Sequence, residues 1–198
     1  MDHDREALRP CITDMIAFEK HILKVLDWQL ESDDIRQFPN AHQLLDRLAG
    51  VLRQHLDTLE DHLTGFPTPS GSTHTLKEAL ISAIGSVSGM YDKAFRHWVS
   101  RVLRDDLTAL SFATISYTIF HATAVGLRQG ATAELALRHL KDLTPIVIEL
   151  NEVLPHIVLR ELALEEHTVE MGLAEQAVRN IQEAWSSEHT RVGGSELQ

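Results

Sequence analysis

The sequence predicts an all-α protein, a bundle of four to five long helices followed by a C-terminal helix. Two observations predict it. Pro and Gly cluster between long stretches instead of recurring every 8 to 12 residues as in an all-β chain, and within those stretches apolar residues return at steps of three and four. At 198 residues the chain is long enough for one domain with a substantial core. Residues 1–185 are read as that single bundle and 186–198 as a disordered tail.

The first helix is expected from about Pro10 to Ser32, with Thr13 or Asp14 in its first turn, an acidic Asp33-Asp34 stretch after it and Phe38-Pro39-Asn40 as the break. Asn40 suits the N-cap of a second helix running to about Thr64, where Gly65 ends it. The stretch Gly65 to Ser72 is the one interior loop marked by composition. It precedes a third helix from about Thr75 to Leu103, with Leu76, Leu80, Ala83, Ile84, Val87, Tyr91, Ala94 and Trp98 at helical spacing.

From Leu107 through Leu127 there is no Asp, Glu, Lys or Arg. Such a run is either a membrane span or a helix with protein on most sides, and its many Ser, Thr and Ala residues favour the second. Gln129-Gly130 is expected to close it. A further helix from about Ala131 to Ala163 contains Pro145 and Pro155, which should kink or restart it, with Thr144-Pro145 as one place for a cap. The last helix is expected from Thr168 to Trp185.

The charge balance excludes some functions. With 18 Lys and Arg against 29 Asp and Glu the net charge is −11, which disfavours nucleic acid and an anionic membrane surface as partners. Cys11 is the only thiol, and Asp2 and Asp4 stand where a signal peptide would be basic, so a cytoplasmic location is expected. The chain has no Cys-x-x-Cys, phosphate-cradling Gly loop, His-Glu-x-x-His or nucleophile elbow.

One residue breaks the pattern of the first helix. Its stripe reads Ile12, Ile16, Glu19, Leu23, Leu26, Leu30, which points a carboxylate into the core, where it needs a cation, a donor, a metal or a proton. On the second helix Asp57 and Glu60 share a face at i and i+3, a spacing used for metal ligation and equally common on solvated helices. His55 and His62 lie along a flank. His121 interrupts the uncharged helix and is placed to donate to Glu19 across the bundle. The other histidines, His139 among them, show no ligand spacing.

The segment Asp14-Met15-Ile16-Ala17-Phe18-Glu19-Lys20-His21-Ile22-Leu23 resembles the first helix of small bacterial ferritin-like stress proteins of the YciF type, in which an Ala-Glu-Lys run carries a metal-ligating Glu. His55-Leu56-Asp57-Thr58-Leu59-Glu60 resembles that family's second helix, with Glu60 in place of its final histidine. The resemblance extends from Pro10 to Ala163 and implies an up-down ferritin-like bundle whose metal would be iron or manganese. Glu19, Asp57, Glu60 and His121 are its candidate ligands. Elsewhere the expected ligands are missing: Gly85 stands for a Glu in the third helix, Ser116 and Ile119 for two in the fourth, and Asp142 or Glu149 replaces at best one in the fifth.

The expectation is therefore a non-catalytic bundle with no cofactor and a degenerate dinuclear centre, acting as a homodimer or on a protein partner. The alternative is a metal-binding oxidase or iron-handling protein. A hemerythrin-like oxygen sensor fits less well, because Leu59 occupies the place of a needed Glu.

Overall fold

A computed structural model of the chain describes residues 2–66 and 98–192, with side chains from 4 to 66 and from 98 to 186. Among the described residues the fold is all-helical, without strands. The elements are α1 (Asp2–Leu30), α2 (Asp33–Arg36), α3 (Pro39–Thr64), α4 (Val99–Gly126), α5 (Gly130–Leu164) and α6 (Leu173–Val192). The third expected helix up to 97, its loop and Gly85 lie outside the described residues.

Contacts at the helix ends set the topology. Arg5 near the start of α1 donates to the carbonyl of Gly65 just past α3 (2.6 Å), and His62 near the end of α3 meets Thr132 at the start of α5 (2.9 Å). At the other end Arg160 of α5 lies 5.0 Å over the Phe38 ring before α3, and the Ser100 N–H at the start of α4 donates to Glu161 of α5 (3.0 Å). Helices α1 and α3 form one antiparallel pair and α4 and α5 another, while α3 and α4 run in the same direction. The chain thus leaves α3 at one end of the bundle and enters α4 at the opposite end, about 39 Å away for a 26-residue helix. The connection between those two ends, 67–97, lies outside the described residues.

The core is filled by the apolar stripe of each helix, including Leu8, Ile12 and Leu26 of α1, Leu45, Leu48, Leu52 and Leu59 of α3, Leu103, Leu110 and Phe120 of α4, and Leu143 and Leu150 of α5. Leu48 is fully buried among them. Leu48→Ala is expected to cost about 2–5 kcal/mol, because the transfer energy of the lost methyl groups and an unfilled cavity add, and a urea titration will read it as a lower midpoint.

Several boundaries differ from expectation. Helix α1 begins at Asp2 and carries Pro10 inside it, held there by Leu8 and Ile12, both fully buried. Thr13 is mid-helix, its hydroxyl donating to the Arg9 carbonyl. Asn40 is not the cap of α3: Phe38 occupies that position without a side-chain cap, and Pro39 takes the first turn, where its missing N–H costs nothing. The expected break between Leu103 and Leu107 is absent, since Arg104, Asp105 and Asp106 all tolerate a helix and α4 runs through them. Gly130 opens α5, and Arg128 instead takes the left-handed turn (φ 57°). Thr144 spends its hydroxyl on the Leu140 carbonyl (2.7 Å), so α5 passes through Pro145 and Pro155 unbroken. Helix α6 starts at Leu173 and continues past Trp185 to Val192, overrunning the first part of the expected tail.

The uncharged run does not cross a membrane: no helix among the described residues is long and apolar enough. Its buried face is Leu110, Ala113, Tyr117, Phe120 and Ala124, but Phe112, Ile115 and Ile119 are exposed, so α4 is less enclosed than its composition suggests.

Candidate functional site

Four helices each send a polar side chain into the same layer of the core. Glu19 of α1 is 0% exposed, His55 of α3 2%, Tyr117 of α4 0% and His139 of α5 1%. Each takes a stripe position that would otherwise hold an apolar residue: Tyr117 follows Leu110 and Ala113, and His139 stands between Leu135 and Leu143 at steps of four. Burying four polar groups is tolerable only if they satisfy one another.

Glu19 Oε1 accepts from the Tyr117 hydroxyl at 2.7 Å and lies 3.1 Å from His55 Nδ1. The opposite ring nitrogen, His55 Nε2, is 3.4 Å from Oδ2 of the half-exposed Asp142, which links the cluster to the surface of α5. His55 and His139 stack face to face, with centroids 3.8 Å apart and planes within 2°. His139 Nδ1 is 2.9 Å from the Tyr117 oxygen, and its Nε2 is 2.9 Å from Thr58 Oγ1. All four ring nitrogens therefore face a protein hydrogen-bonding partner. Glu19 Oε2 is buried without one.

The protons must be shared out. Burial, then repulsion from His55 and Arg138, lowers the His139 pKa to about 3, so that ring is neutral and carries one N–H. Burial and the neighbouring Glu19 carboxylate push the Tyr117 phenol far up, so it keeps its proton. Thr58 Oγ1 also lies 3.0 Å from the His55 carbonyl. If Thr58 donates there, His139 Nε2–H donates to Thr58, and the Tyr117 proton lies between His139 Nδ1 and Glu19. If Tyr117 donates to Glu19 alone, the other His139 tautomer donates to the Tyr117 oxygen and accepts from Thr58. Both arrangements satisfy every heteroatom of the Tyr117–His139–Thr58 chain. At His55 a singly protonated ring donates to one carboxylate, and a doubly protonated ring donates to both Glu19 and Asp142.

Of the four candidates read from sequence, only Glu19 is in this cluster. Asp57 is exposed, two residues and about 200° of helix rotation from His55. Glu60 is exposed and pairs with Lys20 at 2.5 Å. His121, one turn beyond Tyr117, is 2.9 Å from the Ala133 carbonyl and does not reach Glu19. Of the two acids considered on α5, Asp142 touches the cluster, while Glu149 pairs with Arg47 on the surface. Ser116 and Ile119 flank Tyr117, which supplies the polar group on that helix. His55, His139 and Tyr117 are the residues the sequence reading missed. His139 and Tyr117 were visible by the device that found Glu19, a polar residue in mid-stripe.

No family model, curated protein or solved structure matches the chain.

Proposed function

We propose that the protein is a non-catalytic ferritin-like bundle in which a hydrogen-bonded Glu19–Tyr117–His139–His55 cluster replaces the dinuclear metal centre, and that it acts by self-association or by binding a protein partner. That the consecutive described helices α3 and α4 run in the same direction supports the ferritin-like reading, because a simple up-down bundle alternates direction at every step. The observation that carries the loss of the centre is that every imidazole nitrogen in the cluster already has a hydrogen-bonding partner. Parallel stacked rings 3.8 Å apart also point their nitrogen lone pairs in parallel planes, so the pair does not converge on one ion. Among the described residues no three His, Cys, Asp or Glu side chains are grouped to hold a metal.

Exposed apolar residues give an associating protein somewhere to act. Ile115 and Ile119 lie along α4, and Ile148, Ile181 and Trp185 surround a groove of about 260 Å³ between α5 and α6. The acidic charge argues against nucleic acid as the partner. Burial raises the pKa of Cys11, making it a poor nucleophile, which suits a structural thiol in a reducing cytoplasm. A stress-related role rests on the resemblance alone.

The second reading is metal binding, favoured by one observation: Glu19 Oε2 is a buried acceptor without a donor. Oxygen and imidazole donors would suit iron or manganese, but His55 or His139 would have to turn away from its present partners first. Elemental analysis after anaerobic exposure to ferrous iron and desalting separates the readings. Background metal in wild type and in Glu19→Gln is expected. Near-stoichiometric iron in wild type that is lost in Glu19→Gln would replace the first reading with the second. Light scattering on the same samples is expected to give a dimer mass.

A further inference from the structure

The end of the bundle where α5 finishes carries a second polar site, remote from the core cluster. A cavity of about 140 Å³ opens between α2, the start of α4 and the end of α5. Its wall includes three carboxylates, Asp34, Glu161 and Glu165, and two aromatic rings, Phe38 and Trp98. Asp34 and Glu165 are exposed at its mouth, whereas Glu161 is only 6% exposed.

Glu161 is only half satisfied. Its Oε1 accepts the backbone N–H of Ser100 at 3.0 Å, capping the start of α4, while Oε2 is buried with no partner. A carboxylate oxygen withdrawn from water and left without a donor is costly, and a cation that donates to it recovers that cost. The acids here are not grouped as a metal ion requires, so the fitting cation is one that needs a single close acceptor and only attraction from the others. A primary ammonium has three N–H donors, one for Glu161 and the others for water at the mouth, where Asp34 and Glu165 add attraction. The rings are walls of the kind cations use: Arg160 already lies 5.0 Å over Phe38 and Arg101 5.4 Å over Trp98.

We propose that this cavity binds a small aliphatic amine through its primary ammonium group, which donates to the Glu161 carboxylate beside the Trp98 ring and is attracted by Asp34 and Glu165 at the mouth. The alkyl chain occupies the apolar part of the wall, formed by Val99 and Leu164. Nothing in this inference depends on whether the core cluster holds a metal.

Titration of the full chain with butylammonium chloride, followed by the indole N–H resonance of Trp98 (assigned with Trp98→Phe), tests it. A saturable shift is expected. Sodium chloride at equal ionic strength and 1-butanol, which lacks the charge, are expected to leave the resonance in place. Glu161→Gln is expected to weaken binding about tenfold, and Asp34→Asn or Glu165→Gln about threefold each. If Glu161→Gln does not fold, as judged by circular dichroism, the two exposed variants decide. A shift that does not saturate, an equal response to sodium chloride or butanol, or unchanged affinity in the folded variants would overturn the proposal.

Discussion

His55→Leu is expected to lower stability by about 1–3 kcal/mol, the cost of taking a hydrogen-bonding partner from a buried polar group, read as a fall in urea midpoint at unchanged slope. Leucine fills much of the imidazole's volume and still covers the face of His139, so the loss is electrostatic more than steric. Glu19 keeps Tyr117 at 2.7 Å as its single donor, with Oε2 already lacking a partner. Asp142 loses little, because it is half exposed and water replaces His55 there. The informative variant is the double replacement Glu19→Leu with His55→Leu. Tyr117 can then donate wholly to His139 Nδ1, and His139 Nε2–H to Thr58, so every remaining polar atom of that chain stays bonded. The double variant is expected within about 1 kcal/mol of wild type, or above it, since replacing both partners of a buried hydrogen-bonded pair by apolar groups is commonly near neutral. That recovery would mean the carboxylate–imidazole pair is not kept for stability. A double variant as unstable as His55→Leu alone would mean that Tyr117 relies on Glu19 and that the four groups act as one unit.

The pattern of apolar steps made the bundle legible, because each long helix must bury a stripe whatever its neighbours are. It also exposed Glu19, whose flanking positions Ile16 and Leu23 leave little doubt about which way residue 19 points. His55 reads as a flank residue when the stripe of α3 is taken as Leu45, Ala49, Leu52, Leu56, Leu59 and Leu63. Adjacent residues differ by about 100° around a helix, and a stripe's centre is not defined that finely: His55 and Leu56 both turn out buried. Asp57 and Glu60 drew attention through i,i+3 spacing, which solvated helices share. His121 failed for a different reason. It lies one turn from Tyr117, and depth along the bundle depends on helix direction and stagger, which no single helix encodes. The shared direction of α3 and α4 is of the same kind, since only the contacts of Ser100 with Glu161 and of Arg160 with Phe38 place the starts of both helices at one end.

Acid is expected to destabilise the protein through His139. In an unfolded chain a histidine takes up its proton near pH 6.5, whereas burial holds His139 neutral in the fold down to about pH 3. Between those values the unfolded state binds a proton that the folded state refuses, so this contribution is complete above about pH 6.5 and declines as pH falls towards 3. The slope reaches about 1.4 kcal/mol per pH unit for one proton, a loss on the order of 3 kcal/mol by about pH 4.5. Burial lowers the pKa of His62 and His21 as well, adding to the loss, whereas partial desolvation raises the pKa of Asp14 and opposes it at the acid end. His139→Gln isolates the one term. Its amide oxygen accepts from Tyr117 and its amide nitrogen donates to Thr58, keeping both bonds without a titrating group. Urea midpoints measured from pH 7.5 to 4 are expected to fall less steeply for His139→Gln, with the two curves separating below about pH 6.5. Curves that stay parallel would show that His139 accepts a proton within the folded cluster, and a charged His139 stacked on His55 would require Glu19 or Asp142 to serve both rings.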